Sequence, residues 1–221
     1  MKMLFCALFI ISSFCTFSQI TCSFELNNST LKTGEKIQLM NDTSWIQIDE
    51  LKFYVQYSPF FSDENVNGSS VIHLIDVNDS LTYQLPFTED GSHSNSTFQF
   101  AIGIDSISTM QTQFSGALDP SLGMYWAWNT GYIHFKMEGK SNLSKYRNNE
   151  FQLHIGGYEG KNNTQRWLEP KIQLEDGKPK LIFDLTKFAV ETVNLRESPV
   201  IMIPGVEAVN IANGFYQLVK Q

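Results

Sequence analysis

Cysteine is scarce in this chain of 221 residues: only Cys6, Cys15 and Cys22 occur, spaced neither as a CxxC pair nor as a paired framework. A structural zinc cage and a disulfide-dense scaffold are both excluded, so apolar packing must hold the fold. Excess positive charge is also lacking, because 16 Lys and Arg face 23 Asp and Glu for a formal net charge of −7. A nucleic-acid groove or an anionic-membrane surface needs clustered cations, and neither fits. Familiar catalytic punctuation is missing as well. There is no GxSxG elbow, no Gly-rich dinucleotide turn and no phosphate loop, so hydrolase-elbow and Rossmann chemistry fall away. Asp105, Asp119 and Glu138 are carboxylates in search of a role, for which turn formation and solvated charge are plainer readings than an acid/base or calcium pair. The run Asp63 to Gly68 resembles a calcium loop superficially but lacks the downstream bidentate Glu.

A long hydrophobic run is absent too. The longest, Leu4 to Phe14, spans about 11 residues, too short to cross a bilayer. With Lys2 ahead of it and Thr16-Phe17-Ser18 behind, it reads as a secretory signal cleaved after Ser18. The expected product is an exported chain, residues 19–221, in the periplasm, at the cell surface or outside the cell, with no membrane-spanning segment. A lipoprotein cut at Cys15 is disfavoured by the bulky Phe14 before it.

What is present is alternation. From Ile20 onward, short runs rich in β-branched and aromatic residues are punctuated by Asn, Asp, Gly and Ser. Ten strands are expected: 20–26, 36–39, 45–56, 70–76, 82–85, 96–104, 131–138, 151–156, 171–174 and 180–184. They suit an all-β fold, one antiparallel β-sandwich with long loops, with short helices expected at 185–192 and 208–220.

The informative stretch is 101–157. If the chain is extended from Met124, then Met124, Trp126 and Trp128 share a face, as a core plug, a sugar-stacking platform or an oxidisable aromatic surface. Symmetric pairing about a loop centred near residue 144 sets His134 opposite His154, within reach of one copper or zinc ion, although a one-residue slip separates them. His73, in the apolar run Val71 to Ile75, is expected to be buried and to need a hydrogen-bonding or metallic partner. His93 falls in a Gly/Ser/Asn loop and is expected to be solvated.

Gly-Ile-Asp-Ser at 103–106, Ala-Leu-Asp-Pro at 117–120, Gly-Met-Tyr-Trp-Ala-Trp-Asn-Thr-Gly-Tyr at 123–132, Lys136 with Glu138-Gly139, and His-Ile-Gly-Gly at 154–157 together resemble the MbnP-like family of exported copper-binding proteins. The resemblance extends to Tyr54, to the His73 segment and to Val200–Gly205. It implies a β-sandwich that binds copper through histidines and a kynurenine, the latter made from a tryptophan by a partner di-haem enzyme of the MauG type. Carried over by motif, the tryptophans are Trp126 and Trp128, between which the resemblance does not choose. The metal-ligating candidates are His154 and His73. Some branches of the family carry a histidine after the Gly-Ile-Asp strand. Here 106–113 has none, and Met110 is the only soft donor in its place. His134 is not a recognised family position. The implied role is copper acquisition or storage without catalytic turnover. The alternative, from a different class, is a surface module that grips a glycan or protein with the same aromatic residues and has lost the metal.

Overall fold

The computed structural model describes residues 17–39, 43–58, 70–88, 98–111, 114–128 and 131–219. The leader as far as Thr16, with Cys6 and Cys15, the calcium-like run 63–68 and His93 lie outside the described residues. Among the described residues the strands are, in chain order, β1 (Phe17–Leu26), β2 (Ser29–Thr30), β3 (Lys36–Gln38), β4 (Trp45–Tyr57), β5 (Val71–Asp76), β6 (Gln84–Thr88) and β7 (Phe100–Ile102). They continue with β8 (Tyr125–Trp126), β9 (Gly131–Ser141), β10 (Glu150–Gly156), β11 (Arg166–Leu168), β12 (Gln173–Glu175), β13 (Lys178–Asp184) and β14 (Val200–Ile201). Helix α1 is Ser106–Met110, α2 is Leu185–Lys187, extended by a π turn over Phe188–Thr192, and α3 is Val206–Asn213. No described helix is long and apolar enough to cross a membrane.

The strands form two sheets. One runs β12-β13-β1-β2 with β6 also on β1, and the other runs β11-β7-β4-β9-β10-β14 with β3, β5 and β8 attached. Each of the ten expected strands overlaps an observed one, with the sandwich-like all-β class, but residues 82–83 belong to a 3-10 turn (Ser80–Tyr83) ahead of β6, β12 begins only at Gln173, and 96–97 lie outside the described residues. The sheets are mixed rather than purely antiparallel: β1 pairs in parallel with β13, and β10 with β14. Those partners are remote in sequence, and alternation within a strand carries no information about the direction of its neighbour.

Alternation does explain the core. On β4, Leu51, Phe53 and Val55 face the other sheet, as do Phe135 and Met137 of β9 and Leu153 and Ile155 of β10. An aromatic spine bridges the layers: the Phe53 ring centre lies 5.0 Å from Phe183 and 5.9 Å from Phe135, which in turn lies 5.1 Å from Phe215 after α3. Full burial of each such ring stabilises the fold by roughly 1.5–3 kcal/mol. Cys22, the only described cysteine, belongs to this core, where burial pushes its thiol up to about 12 and makes it inert.

The opposite, outer face of the larger sheet has two halves. One carries charge. The other is covered by residues 105–111 and 114–128, which fold back on it and pack a second cluster of Tyr54, Leu74, Ile104, Met124, Trp126, Tyr132 and Ile133.

Candidate metal centre

The covering segment is anchored at its start. Gly103 has φ +103°, and a Cβ there would stand 2.7 Å from the His134 ring, so only glycine fits. Two residues on, Asp105 caps α1 by accepting from the Ser108 amide at 2.7 Å, and its own amide donates to Gln56 Oε1 at 2.9 Å. Gln56 Nε2 donates to the Asp105 carboxylate, and Gln165 Nε2 donates to Gln56 Oε1 at 2.8 Å. Burial pulls the Asp105 carboxyl upward, but the hydrogen bonds from Ser108 and Gln56 outweigh it and hold the group below the ordinary carboxylate range. Asp119 caps the next turn through the Ser121 amide, and Gly123 at φ +75° ends that turn. The Gly-Ile-Asp-Ser and Ala-Leu-Asp-Pro motifs are thus the hinges that lay the segment down.

Its far end brings the tryptophans to the sheet. Met124 and Trp126 are buried, whereas the chain turns after Trp126 and leaves Trp128 63% exposed. The three therefore do not share one face. The two indoles still touch, with ring centres 5.8 Å apart at 44°. Trp126 lies over Gly156: a Cβ at that position would come within 2.8 Å of the indole and 2.5 Å of the Tyr132 carbonyl. The buried Nε1 of Trp126 has no hydrogen-bond partner among the described residues. Trp126, Gly157, Tyr158, Glu159, Asn162 and Pro204 line a half-open cleft of about 150 Å³.

The histidines take separate places. Glu150 pairs with Lys140, which centres the hairpin one residue later than symmetric pairing about residue 144. His154 consequently stands opposite Lys136, not His134. Between Ile155↔Phe135 and Gly156↔Ile133 the register slips, and His134 is the residue skipped. Its ring fills the junction where β9 leaves β4 after Phe53 and β7 takes its place from Val55. There it is fully buried, with Nδ1 2.9 Å from Thr164 Oγ1 and Nε2 unpartnered among the described residues. Burial, helped by the charge of Arg166, lowers this imidazole to about 3.

His73 pairs with Val55, whose side chain faces the core, whereas the row containing His154 continues through Lys136 to Lys52 on the outer face. These two histidines therefore lie on opposite faces of the sheet. His73 finds a hydrogen-bonding partner, its Nε2 2.7 Å from the Thr82 carbonyl. Met110 is 64% exposed at the end of α1.

His154 belongs to a charge row that sequence reasoning missed. Its Nε2 is 2.6 Å from Glu138 Oε1, which is 3.4 Å from Lys136 Nζ. Lys136 reaches Glu50 at 2.8 Å, and Lys52 holds both Glu50 and Asp76 at 3.2 Å. The hydrogen bond from His154 keeps the Glu138 carboxyl below its ordinary range against the opposing effect of burial, and Lys136 assists. Glu and Lys alternating at 50, 52, 136 and 138 were the available signal; the register sets Glu50 opposite Glu138 and Lys52 opposite Lys136, so the ion pairs run diagonally and along the strands and are visible only with that register known. Among the described residues no three His, Cys, Asp or Glu side chains come together closely enough to share a metal ion. What the fold assembles is one carboxylate-held imidazole and, two residues along the same strand face at Gly156, a buried indole backed by an exposed one.

Comparison with known proteins agrees with this architecture. No curated protein matches the sequence. Among solved structures, MbnP from Methylosinus trichosporium superposes with a TM-score of 0.54 at 9% identity, over 87% of this chain and 83% of that one, a likeness of fold. The sequence model of the MbnP family matches residues 17–203, which include the covering segment, the charge row and the His-Ile-Gly-Gly turn. This chain belongs to the MbnP family.

Proposed function

We propose that this chain is an exported copper-binding protein that carries one copper as cargo, in acquisition or storage, and turns over no substrate of its own. The observation that carries the reading is the pairing of His154, held by Glu138, with the Trp126 and Trp128 pair beside it. The three-donor test above fails with unmodified residues, so the reading requires a donor made after translation. Opening an indole to kynurenine supplies one, an aniline-type amine beside a carbonyl, which suits a copper ion also bound by imidazole.

Trp128 is the residue assigned to that change. Oxidation draws electrons from the indole, whose Nε1 proton is released transiently to an acceptor and regained, and inserts oxygen across C2–C3. Trp128 is open to water, whereas Trp126 is 5% exposed and its Nε1 has no described acceptor. Two equivalents of peroxide, used by a di-haem partner enzyme, each deliver one oxygen atom and leave as water, which cleaves C2–C3 to N-formylkynurenine in a four-electron oxidation, and hydrolysis then releases the formyl carbon as formate. The net exchange of one carbon for one oxygen adds about 4 Da. Trp126 remains the platform under the modified ring.

Intact and peptide mass spectrometry of protein from its native host, with copper counted after dialysis, tests this. One added increment of about 4 Da and one retained copper are expected, and His154→Ala should abolish retention. An unmodified mass with no copper sinks the reading. The cleft lined by Trp126, Tyr158, Glu159 and Asn162 favours a second function, a module that grips a glycan through stacked aromatics. His154→Ala should leave glycan binding intact on that reading.

A further inference from the structure

His154 and Glu138 support a sharper statement, which rests on the copper reading for its purpose but not for its proof. The imidazole Nε2 faces Glu138 Oε1 at 2.6 Å. Glu138 has little freedom to turn away, since Lys136 Nζ lies 3.4 Å from the same oxygen and is itself 2.8 Å from Glu50. Lys52, held by Glu50 and Asp76, continues the row, and the side chains of all six residues are only 10–26% exposed.

A carboxylate only accepts hydrogen bonds, so the ring nitrogen facing it must carry the hydrogen. In a neutral imidazole that leaves the lone pair on the other nitrogen. The opposite tautomer would press two lone pairs together across the 2.6 Å contact. Among the described residues none bonds His154 Nδ1. We propose that Glu138 is a positioning residue that locks neutral His154 as the Nε2–H tautomer, so that this histidine meets copper through Nδ1. Lys136 and Glu50 serve the same end by fixing the carboxylate. Metal-binding imidazoles are commonly oriented by a carboxylate in this way, which fixes the tautomer and raises the basicity of the ligating nitrogen.

The tautomer can be read without metal. Long-range proton–nitrogen correlation spectra of uniformly ¹⁵N-labelled, metal-free protein at mildly alkaline pH distinguish a protonated ring nitrogen from a bare one, and His154→Ala identifies the signals. Wild type should show Nε2 protonated and Nδ1 bare. Glu138→Ala should move both shifts toward averaged values and weaken copper(II) binding by the processed protein about 10- to 100-fold. Glu138→Gln, whose amide oxygen still accepts, should restore much of both. A protonated Nδ1 in wild type, or unchanged shifts in Glu138→Ala, overturns the proposal. A locked tautomer in a processed protein that retains no copper would instead overturn the copper reading and leave the positioning role standing.

Discussion

Burial of the His134 ring between Gly103 and Thr164 leaves an imidazole that stays neutral well below the ordinary histidine range. The free side chain takes up a proton near pH 6.5, but in the folded protein His134 does so only at about 3. As pH falls through that window the unfolded chain binds a proton that the folded one refuses. The stability associated with the neutral ring is therefore complete above pH 6.5 and lost progressively toward pH 3. Urea unfolding of metal-free wild type and His134→Gln at pH 7 and pH 4.5 should differ in pH sensitivity, wild type losing about 2 kcal/mol more between the two. Equal losses would show that the ring is not held neutral. His154 lies instead on the outer face of the sheet, in the charge row, where its side chain is 10% exposed and bonds Glu138. Both histidines stood out in the sequence, but a one-residue shift of the hairpin centre and one skipped residue decide which of them faces a carboxylate. Neither is written in the alternation of apolar and polar residues, because both faces of β9 are largely buried here.

At the scale of elements, the covering segment depends on close approach more than on its own short helices. Gly156 receives the Trp126 ring against its backbone, so Gly156→Ala must displace either the indole or the Tyr132 carbonyl. An overpacking cost of about 1–3 kcal/mol is expected, with loss of the near-ultraviolet circular dichroism of the Trp126–Trp128 pair and no change in the far-ultraviolet strand signal. Retained dichroism from the pair would mean that the indole is not seated there. The long strands were legible because each has one face in the sandwich core: β4 alternates Leu51, Phe53 and Val55 inward against Lys52, Tyr54 and Gln56 outward. The short strands β2, β8, β11 and β14, of two or three residues, were not, since so few residues cannot establish a period. The tryptophan motif was recognisable as a unit, but the turn after Trp126, which sends one indole inward and the other to solvent, was not.

For the whole molecule, the sandwich separates stability from function. The aromatic spine of Phe53, Phe135, Phe183 and Phe215 lies on one side of the larger sheet, and the charge row with the paired indoles lies on the other. Substitutions at His154 or Trp128 therefore leave the core packing untouched, and their effects on binding can be read directly. The most direct test of the account is peptide-resolved mass spectrometry, joined to copper counting, of protein co-produced with a di-haem peroxide-using partner. A gain of about 4 Da at Trp128 and one copper per chain, lost in His154→Ala, are expected. Modification at Trp126 would contradict the choice of residue, and an unmodified, copper-free protein from the same cells would contradict the account itself.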